Sequence, residues 1–136
     1  MAYTSTVTVE HIAGAYPERA FRVTITETEC GTTSEASFTL SSAGGMHPVR
    51  LAQVYRVQAV KSSGSAATLQ PRLGSAAAAT GLQIQYLATA AAQVDDQPAA
   101  PVVIYGTSAG TYYHRSQPGT GADNAVQTVY IIEEGL

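Results

Sequence analysis

The chain has 136 residues, of which 45% are hydrophobic and 12% are charged, and its formal net charge is −3. This length suits one domain with a sizeable core and is short for two, so we expect a single domain spanning residues 1–136. The charged share is about half of the usual roughly 25%. Because the sequence contains no block of basic residues, it does not favour nucleic-acid binding.

The low charge also bears on assembly. A soluble protein with few charges often buries much of its surface against other subunits, although a surface of Ala, Thr and Ser loops would have the same composition. The planar guanidinium of arginine pairs well with carboxylates. We therefore expect ion pairs within or between subunits, with solvated surface arginines as the alternative. The arginines are Arg19, Arg22, Arg50, Arg56, Arg72 and Arg115.

Cys30 is the only cysteine. An internal disulfide and a cysteine-cluster metal site are therefore excluded, and we expect an inert residue near a turn in a protein made in the cytosol. The first residues, MAYTSTVTVEH, have neither the basic start nor the apolar run of a signal peptide. No stretch of about 18 apolar residues predicts a membrane span. We expect neither export by the usual signal nor insertion in a membrane.

Alternating apolar and polar residues predict strands in the first third of the chain. Polar and glycine-containing turns separate them, at residues 13–18 and around Gly31. The predicted strands are residues 3–12, 21–26 and 36–40.

Residues 49–60 form the longest run and are predicted to be the central strand. Most of its apolar residues share one parity, with Gln53 as the polar member and Val54 as the apolar exception on the other face. The following KSSGS predicts a hairpin return into a strand at residues 67–73. Pro71 cannot donate a hydrogen bond to a ladder, so that strand is expected at an edge or with a bulge.

The second half continues the same pattern in shorter pieces. The alanine-rich residues 88–94 allow a short helical turn, because alanine is the best helix former, and residues 95–101 are predicted to be a proline-rich break. The remaining predicted strands are residues 82–88, 102–105, 111–115 and 125–133. Short, evenly spaced strands without a long helix predict an all-β fold, an antiparallel β-sandwich or jelly roll.

The stretch GTSAG, Gly106 to Gly110, matches the G-x-S-x-G pattern that holds a hydrolase's nucleophilic serine between a strand and a helix. The residues after it are strand-like, and no histidine follows Asp123, so the order Ser, acid, His of such enzymes is absent. We expect a hairpin loop here. Ser108, His114 and Asp123 could still meet in space on another fold. However, serine and aspartate beside glycines are ordinary turn residues.

The other histidines and acids predict no catalytic, cofactor or metal site. His11 and His47 lie far from each other and from His114, without a metal-ligand spacing. Asp95 and Asp96 lack the pattern of a calcium loop. Because neighbouring residues on an extended chain point in opposite directions, these two cannot form a paired acid and base. We expect structural or surface histidines and solvated loop acids.

Six tyrosines offer a different kind of site. Tyrosine combines an apolar face with a polar tip, so the set could line a sugar-binding groove. The alternative is a tyrosine-edged core or a subunit interface. The residues are Tyr55, Tyr86, Tyr105, Tyr112, Tyr113 and Tyr130.

Two stretches carry a resemblance to a known group of proteins. In GTYYHRSQPGTGADNAVQTVYIIEE a strand, a turn with Gly-Ala-Asp-Asn and an apolar alternating strand follow one another, and VRLAQVYRVQAVKSSGSAATLQPRL joins a long strand to a return strand. The chain thereby resembles small β-sandwich or jelly-roll structural proteins of tailed bacteriophages, most of all capsid decoration (cement) proteins.

That resemblance implies a virion protein without an active site or cofactor. Such a protein binds the major capsid protein or another virion protein, often as a dimer or trimer, and strengthens the head. The alternatives are a phage tail or neck component, a carbohydrate-binding β-sandwich module, and a small hydrolase that uses Ser108.

Overall fold

In the computed structural model, nearly all of the described residues belong to β-strands. These residues contain no helix. The described residues are 4–15, 18–28, 35–40, 50–63, 71–74, 83–86, 93–97, 102–106, 111–115 and 124–135. The strands are β1 (Thr4–Ala15), β2 (Glu18–Thr28), β3 (Ala36–Thr39), β4 (Arg50–Ser63), β5 (Arg72–Gly74), β6 (Gln83–Gln85), β7 (Gln93–Asp96), β8 (Val102–Gly106), β9 (Thr111–Arg115) and β10 (Asn124–Gly135).

The strands form two sheets in which every pairing is antiparallel. The larger sheet has the order β1-β2-β10-β4-β7, and β8 also pairs with β4. The smaller sheet has the order β3-β9-β5-β6. The all-β, antiparallel sandwich predicted from the sequence is therefore confirmed, and the jelly-roll connectivity stays a prediction.

The core lies between the two sheets and follows the alternation in the sequence. Phe21, Val23 and Ile25 of β2 are buried, whereas the residues between them face outward. Phe38 and Leu73 cover this layer from the smaller sheet. Since each strand has one apolar face, burial of these faces holds the sheets together.

A β-bulge explains why the apolar pattern of β4 changes parity. Tyr130 of β10 pairs with Arg56, but the next residue, Ile131, pairs with Val54, which leaves Tyr55 as an extra residue. Val54 is therefore buried before the bulge and Val57 after it. The prediction of a single apolar parity for this strand is wrong, because one extra residue reverses which side chains face the core.

The strands on either side of two predicted hairpins lie in different sheets, and residues 64–70 and 107–110 between them lie outside the described residues. β4 belongs to the larger sheet and β5 to the smaller, so the hairpin predicted at residues 61–65 is wrong. The same applies to Gly106–Gly110, because β8 pairs with β4 whereas β9 pairs with β3 and β5. Turn residues such as glycine and serine mark where the chain bends, but not which strand it joins next.

For the strand with Pro71 the sequence predicted an edge or a bulge, and the edge position is wrong for the described part of that strand. β5 lies between β9 and β6. Pro71 comes one residue before β5, where its missing N–H leaves the ladder intact. Its carbonyl oxygen accepts a 3.1 Å hydrogen bond from the backbone N–H of Tyr86.

The turn between β1 and β2 depends on Gly14. Its φ is +81°, and a Cβ at this position would lie 2.7 Å from the carbonyl oxygen of Glu18. Only glycine fits that left-handed backbone without a clash. A bulge at Ile12 precedes it, since His11 pairs with Phe21 and Ala13 with Ala20. Regular pairing along β1 therefore runs from Thr4 to His11.

Candidate functional site

Of the three residues considered as a possible catalytic triad, the structure describes only His114. Ser108 and Asp123 lie outside the described residues, as do Cys30 and His47. Residues Thr111–Arg115 form strand β9, in the place where a nucleophile elbow requires a helix. The prediction of a strand after Gly110 is confirmed.

His114 lies on the inward face of β9 and is fully buried. A 2.6 Å hydrogen bond joins its Nε2 to the hydroxyl of Tyr86, and that hydroxyl donates to Gln127 Oε1 at 3.0 Å. Gln127 Nε2 in turn donates to Glu27 Oε1 at 3.5 Å. Glu27 Oε1 also lies 3.7 Å from His114 Nδ1. We call these four residues the His114 cluster.

Burial sets the charge state of this cluster. Loss of hydration lowers the pKa of His114 to about 3, outweighing the hydrogen bond with Gln127, which raises it. Burial also raises the pKa of Tyr86, and the nearby charge of Glu27 adds to that effect. Imidazole and phenol are therefore both neutral near pH 7. All four side chains are buried, so the arrangement favours a structural role.

A second buried cluster, the Arg19 cluster, consists of Arg19, Tyr112 and Glu133. Arg19 Nη2 donates to Glu133 Oε1 at 3.3 Å, and the Tyr112 hydroxyl donates to Glu133 Oε2 at 3.1 Å. The guanidinium of Arg19 also lies 5.8 Å from the ring centroid of Phe21. Tyr112 and His114 are neighbours on the same face of β9, so this short strand contributes to both clusters.

His11 is an exposed residue of β1. Its ring lies 5.4 Å from that of Phe21, and its Nε2 donates to the carbonyl oxygens of Ala13 and Gly14 at 3.0 and 2.8 Å. Within the described ranges, no three His, Cys, Asp or Glu side chains are grouped so that they could hold a metal ion. Among the same residues, no helix is long and apolar enough to cross a membrane.

The outward face of the larger sheet carries a row of paired side chains across five strands. From β1 to β7 the outer-face row consists of Glu10, Arg22, Tyr130, Arg56 and Asp95. The first four are cross-strand neighbours in the register. Arg56 reaches Asp95 with two hydrogen bonds of 3.0 and 2.7 Å. Arg22 likewise donates to both carboxylate oxygens of Glu10.

Tyr130 lies at the centre of the outer-face row. The guanidinium of Arg56 is 5.4 Å from its ring centroid, and the ring of Tyr55 from the β4 bulge is 6.0 Å away. Its hydroxyl donates to Gln58 Oε1 at 3.3 Å. A tyrosine between two arginines is a composition typical of the residues that dominate binding at protein interfaces.

The charges of the outer-face row are already paired with each other. Hydrogen bonding to Glu10, and next to Tyr130, raises the pKa of Arg22. Hydrogen bonding to Arg56 lowers the pKa of Asp95. The two arginines and two acids thus form a row without net charge. The prediction of ion pairs is confirmed within the chain. Asp95 is exposed, as expected, but it lies in a strand that pairs with β4 and not in the predicted loop.

An open groove of about 530 Å³ lies beside the outer-face row. Val60 and Val126 are 41% and 37% exposed in it, although they are large apolar side chains. Its polar lining consists of Gln58, Gln93, Asp95 and Thr128. The groove thus combines exposed apolar area with amide, hydroxyl and carboxylate groups.

Comparison with known protein families and with curated proteins finds no match.

The structure divides the tyrosines that the sequence grouped together. Tyr112 and Tyr86 are buried in the core, whereas Tyr55 and Tyr130 lie on the outer face, and the side chain of Tyr105 is outside the described residues. The sequence did not reveal the outer-face row. Its residues alternate correctly within each strand, but only the strand order and register bring them side by side.

Proposed function

We propose that the protein is a non-enzymatic virion structural protein, a capsid decoration protein that binds the head lattice and stabilises it. It acts as a homo-oligomer and contacts the major capsid protein through the outer face of its larger sheet. The resemblance to phage decoration proteins supports this proposal. The observation that carries it is the outer-face row centred on Tyr130.

The row suits protein docking for a physical reason. Burying a charge in an interface is costly unless the charge is paired, and Arg22 and Arg56 each already bind an acid. A partner can therefore cover them without leaving an uncompensated ion. Val60 and Val126 add apolar area next to the row, as in the centre of a typical interface.

The test is co-sedimentation of the purified protein with phage heads, with phage tails as a separate target. We expect binding to heads, and Val126→Lys should weaken it by at least about tenfold, because a lysine in the groove places an unpaired charge in the contact. Ser37→Lys adds the same charge on the exposed face of β3 in the smaller sheet and should leave binding unchanged. A protein that stays in the supernatant with heads contradicts the proposal, and binding to tails alone favours a tail component.

A second function, carbohydrate binding, is favoured by one observation. The hydroxyl of Tyr130 donates to Gln58, and the ring of Tyr55 lies 6.0 Å from that of Tyr130. Gln58 Nε2 in turn donates to Asp95 Oδ2 at 3.4 Å at the rim of the groove. Aromatic rings next to amide and carboxylate groups are the partners that sugars require.

If a glycan binds there, tyrosine fluorescence should be quenched by bacterial surface polysaccharide, with no tryptophan to mask the change. Gln58→Ala should weaken the effect by about tenfold, because the hydrogen-bonding rim is lost. Gln53→Ala, on the same strand outside the groove, serves as the control. Equal titrations for both variants would exclude the groove as the sugar site.

A further inference from the structure

Strand β1 forms one edge of the larger sheet. It is 12 residues long and pairs with β2 on one side, and no described strand pairs with its other side. Edge strands of native proteins usually carry lysines, prolines or early bulges that prevent pairing with another chain. From Thr4 to His11, β1 contains no lysine or proline, its only acid is Glu10, and its bulge comes later, at Ile12.

The inward face of β1 is incompletely covered. Val7 and Val9 pack against the core cluster but are only partly buried. On the other face, Thr6 and Thr8 are exposed. In the described part of the chain, β1 therefore combines a backbone edge with which no strand pairs and apolar side chains that would lose more exposed area if another strand were added beside them.

We propose that a second copy of the chain pairs with β1 through its own β1, antiparallel and with two-fold symmetry, with Thr8 facing Thr8 of the partner subunit. The larger sheets of two subunits thereby become one continuous sheet. This inference rests on the homo-oligomer included in the proposed function and assigns its interface. The contact between the two subunits uses the edge of the sheet, so the outer-face row remains available to another partner.

Symmetry restricts the register. In an antiparallel pair, residues directly opposite each other point to the same side of the sheet. A two-fold axis also requires each residue and its copy to point to the same side. Only registers in which a residue faces its own copy satisfy both conditions, so a copy of β1 must be centred on a residue such as Thr6, Val7 or Thr8.

The register centred on Thr8 gives the best side-chain match. Val7 then faces Val9 of the partner subunit, and the symmetric pair repeats the contact, so β-branched apolar residues meet twice on the core side. Centring on Val7 instead would place each Val9 opposite a serine. With Thr8 at the centre, pairing also stops at His11, just before the bulge at Ile12.

Charge does not oppose this arrangement. Glu10 faces Thr6 of the partner subunit, so the two Glu10 residues are separated by four residues, roughly 13 Å, along the strand direction. Each carboxylate also remains paired with Arg22 of its own chain. A self-complementary, nearly uncharged edge therefore fits a second copy of the same chain.

The register can be tested by cysteine cross-linking of the full chain in a Cys30→Ser background. Opposite residues in antiparallel strands have Cα atoms about 4.5–5.5 Å apart, which a disulfide can span. We expect Thr8→Cys to form a covalent dimer on mild oxidation. Thr6→Cys, equally exposed on the same face, should form far less, because its copies lie too far apart. No dimer for Thr8→Cys, or equal yields for the two variants, would overturn the proposal.

A second measurement does not depend on a disulfide. Sedimentation should give a dimer for the unmodified chain, and Thr8→Lys should raise the dissociation constant by at least about tenfold, because each lysine would face its own copy across the edge. The matched control is Thr24→Lys, at the register neighbour on β2, and should remain dimeric. A monomeric unmodified chain, or equal weakening by both variants, would refute the contact.

These experiments contain no capsids, so their outcome is separate from that of the proposed function. A cross-linked Thr8→Cys dimer that does not bind heads would leave the subunit contact standing and contradict the decoration role. A chain that is monomeric but binds heads would refute the subunit contact and support the decoration role.

Discussion

Glu133→Gln is expected to lower the free energy of unfolding by about 3–5 kcal/mol, the range for breaking a buried ion pair by removing one partner. The Glu133 side chain is 1% exposed and that of Arg19 is 10% exposed. The substitution would leave the guanidinium without its carboxylate in a site that water hardly reaches. Tyr112 would also lose its charged acceptor. Urea denaturation measures the change.

An exposed pair provides the control for this experiment. Glu10→Gln removes the carboxylate that binds Arg22 at the surface, where water and salt screen the interaction, and should leave the denaturation midpoint nearly unchanged. Arg19→Met combined with Glu133→Leu should recover much of the stability lost in Glu133→Gln, because neither charge of this buried pair remains. If Glu133→Gln is as stable as the unmodified protein, the assigned role of the buried pair is wrong.

Acid is expected to unfold the protein through His114. Its pKa is about 3 in the folded chain and about 6.5 for an unperturbed histidine, as in an unfolded chain. Between these values the unfolded chain binds a proton that the folded chain does not. Stability should therefore be lost as the pH falls from about 6.5 towards 3, at up to about 1.4 kcal/mol per pH unit from this residue.

Thermal unfolding measured at several pH values tests this expectation. His114→Gln should unfold at a lower temperature near pH 7, because the hydrogen bond to Tyr86 is disturbed, but its stability should change less with pH. The comparison uses the slope of the unfolding temperature against pH, so it remains informative even if the variant is less stable at every pH. His11→Gln, at an exposed position, should keep the slope of the unmodified protein. Parallel curves for His114→Gln and the unmodified protein would contradict the assignment.

The sequence predicted most of the strands because alternation reports directly which side chains face a core. The pattern Phe21, Val23, Ile25 gave β2, and the structure confirms it. It did not predict the partners of each strand. The connections after β4 and β8 cross to the other sheet, and the bulge at Tyr55 changes the inward parity, because both depend on contacts between residues distant in the chain.

The buried polar clusters had a sequence signal that alternation alone could have revealed. Arg19 and Glu27 share the parity of the apolar residues of β2, so continuing the pattern by one step in each direction places both on the core side. Gln127 and Glu133 do the same in β10. A charged residue on an apolar parity indicates a buried partner, but the identity of that partner follows only from the packing of the two sheets.

The position of β10 has a consequence for biosynthesis. This strand comes late in the chain, yet it lies between β2 and β4 and pairs with both over almost its whole length. Until residues 124–135 have left the ribosome, β2 and β4 cannot be joined, and each exposes unsatisfied backbone groups to other nascent polypeptides. The larger sheet must therefore close after translation of this strand, and folding is slowed by its many distant pairings.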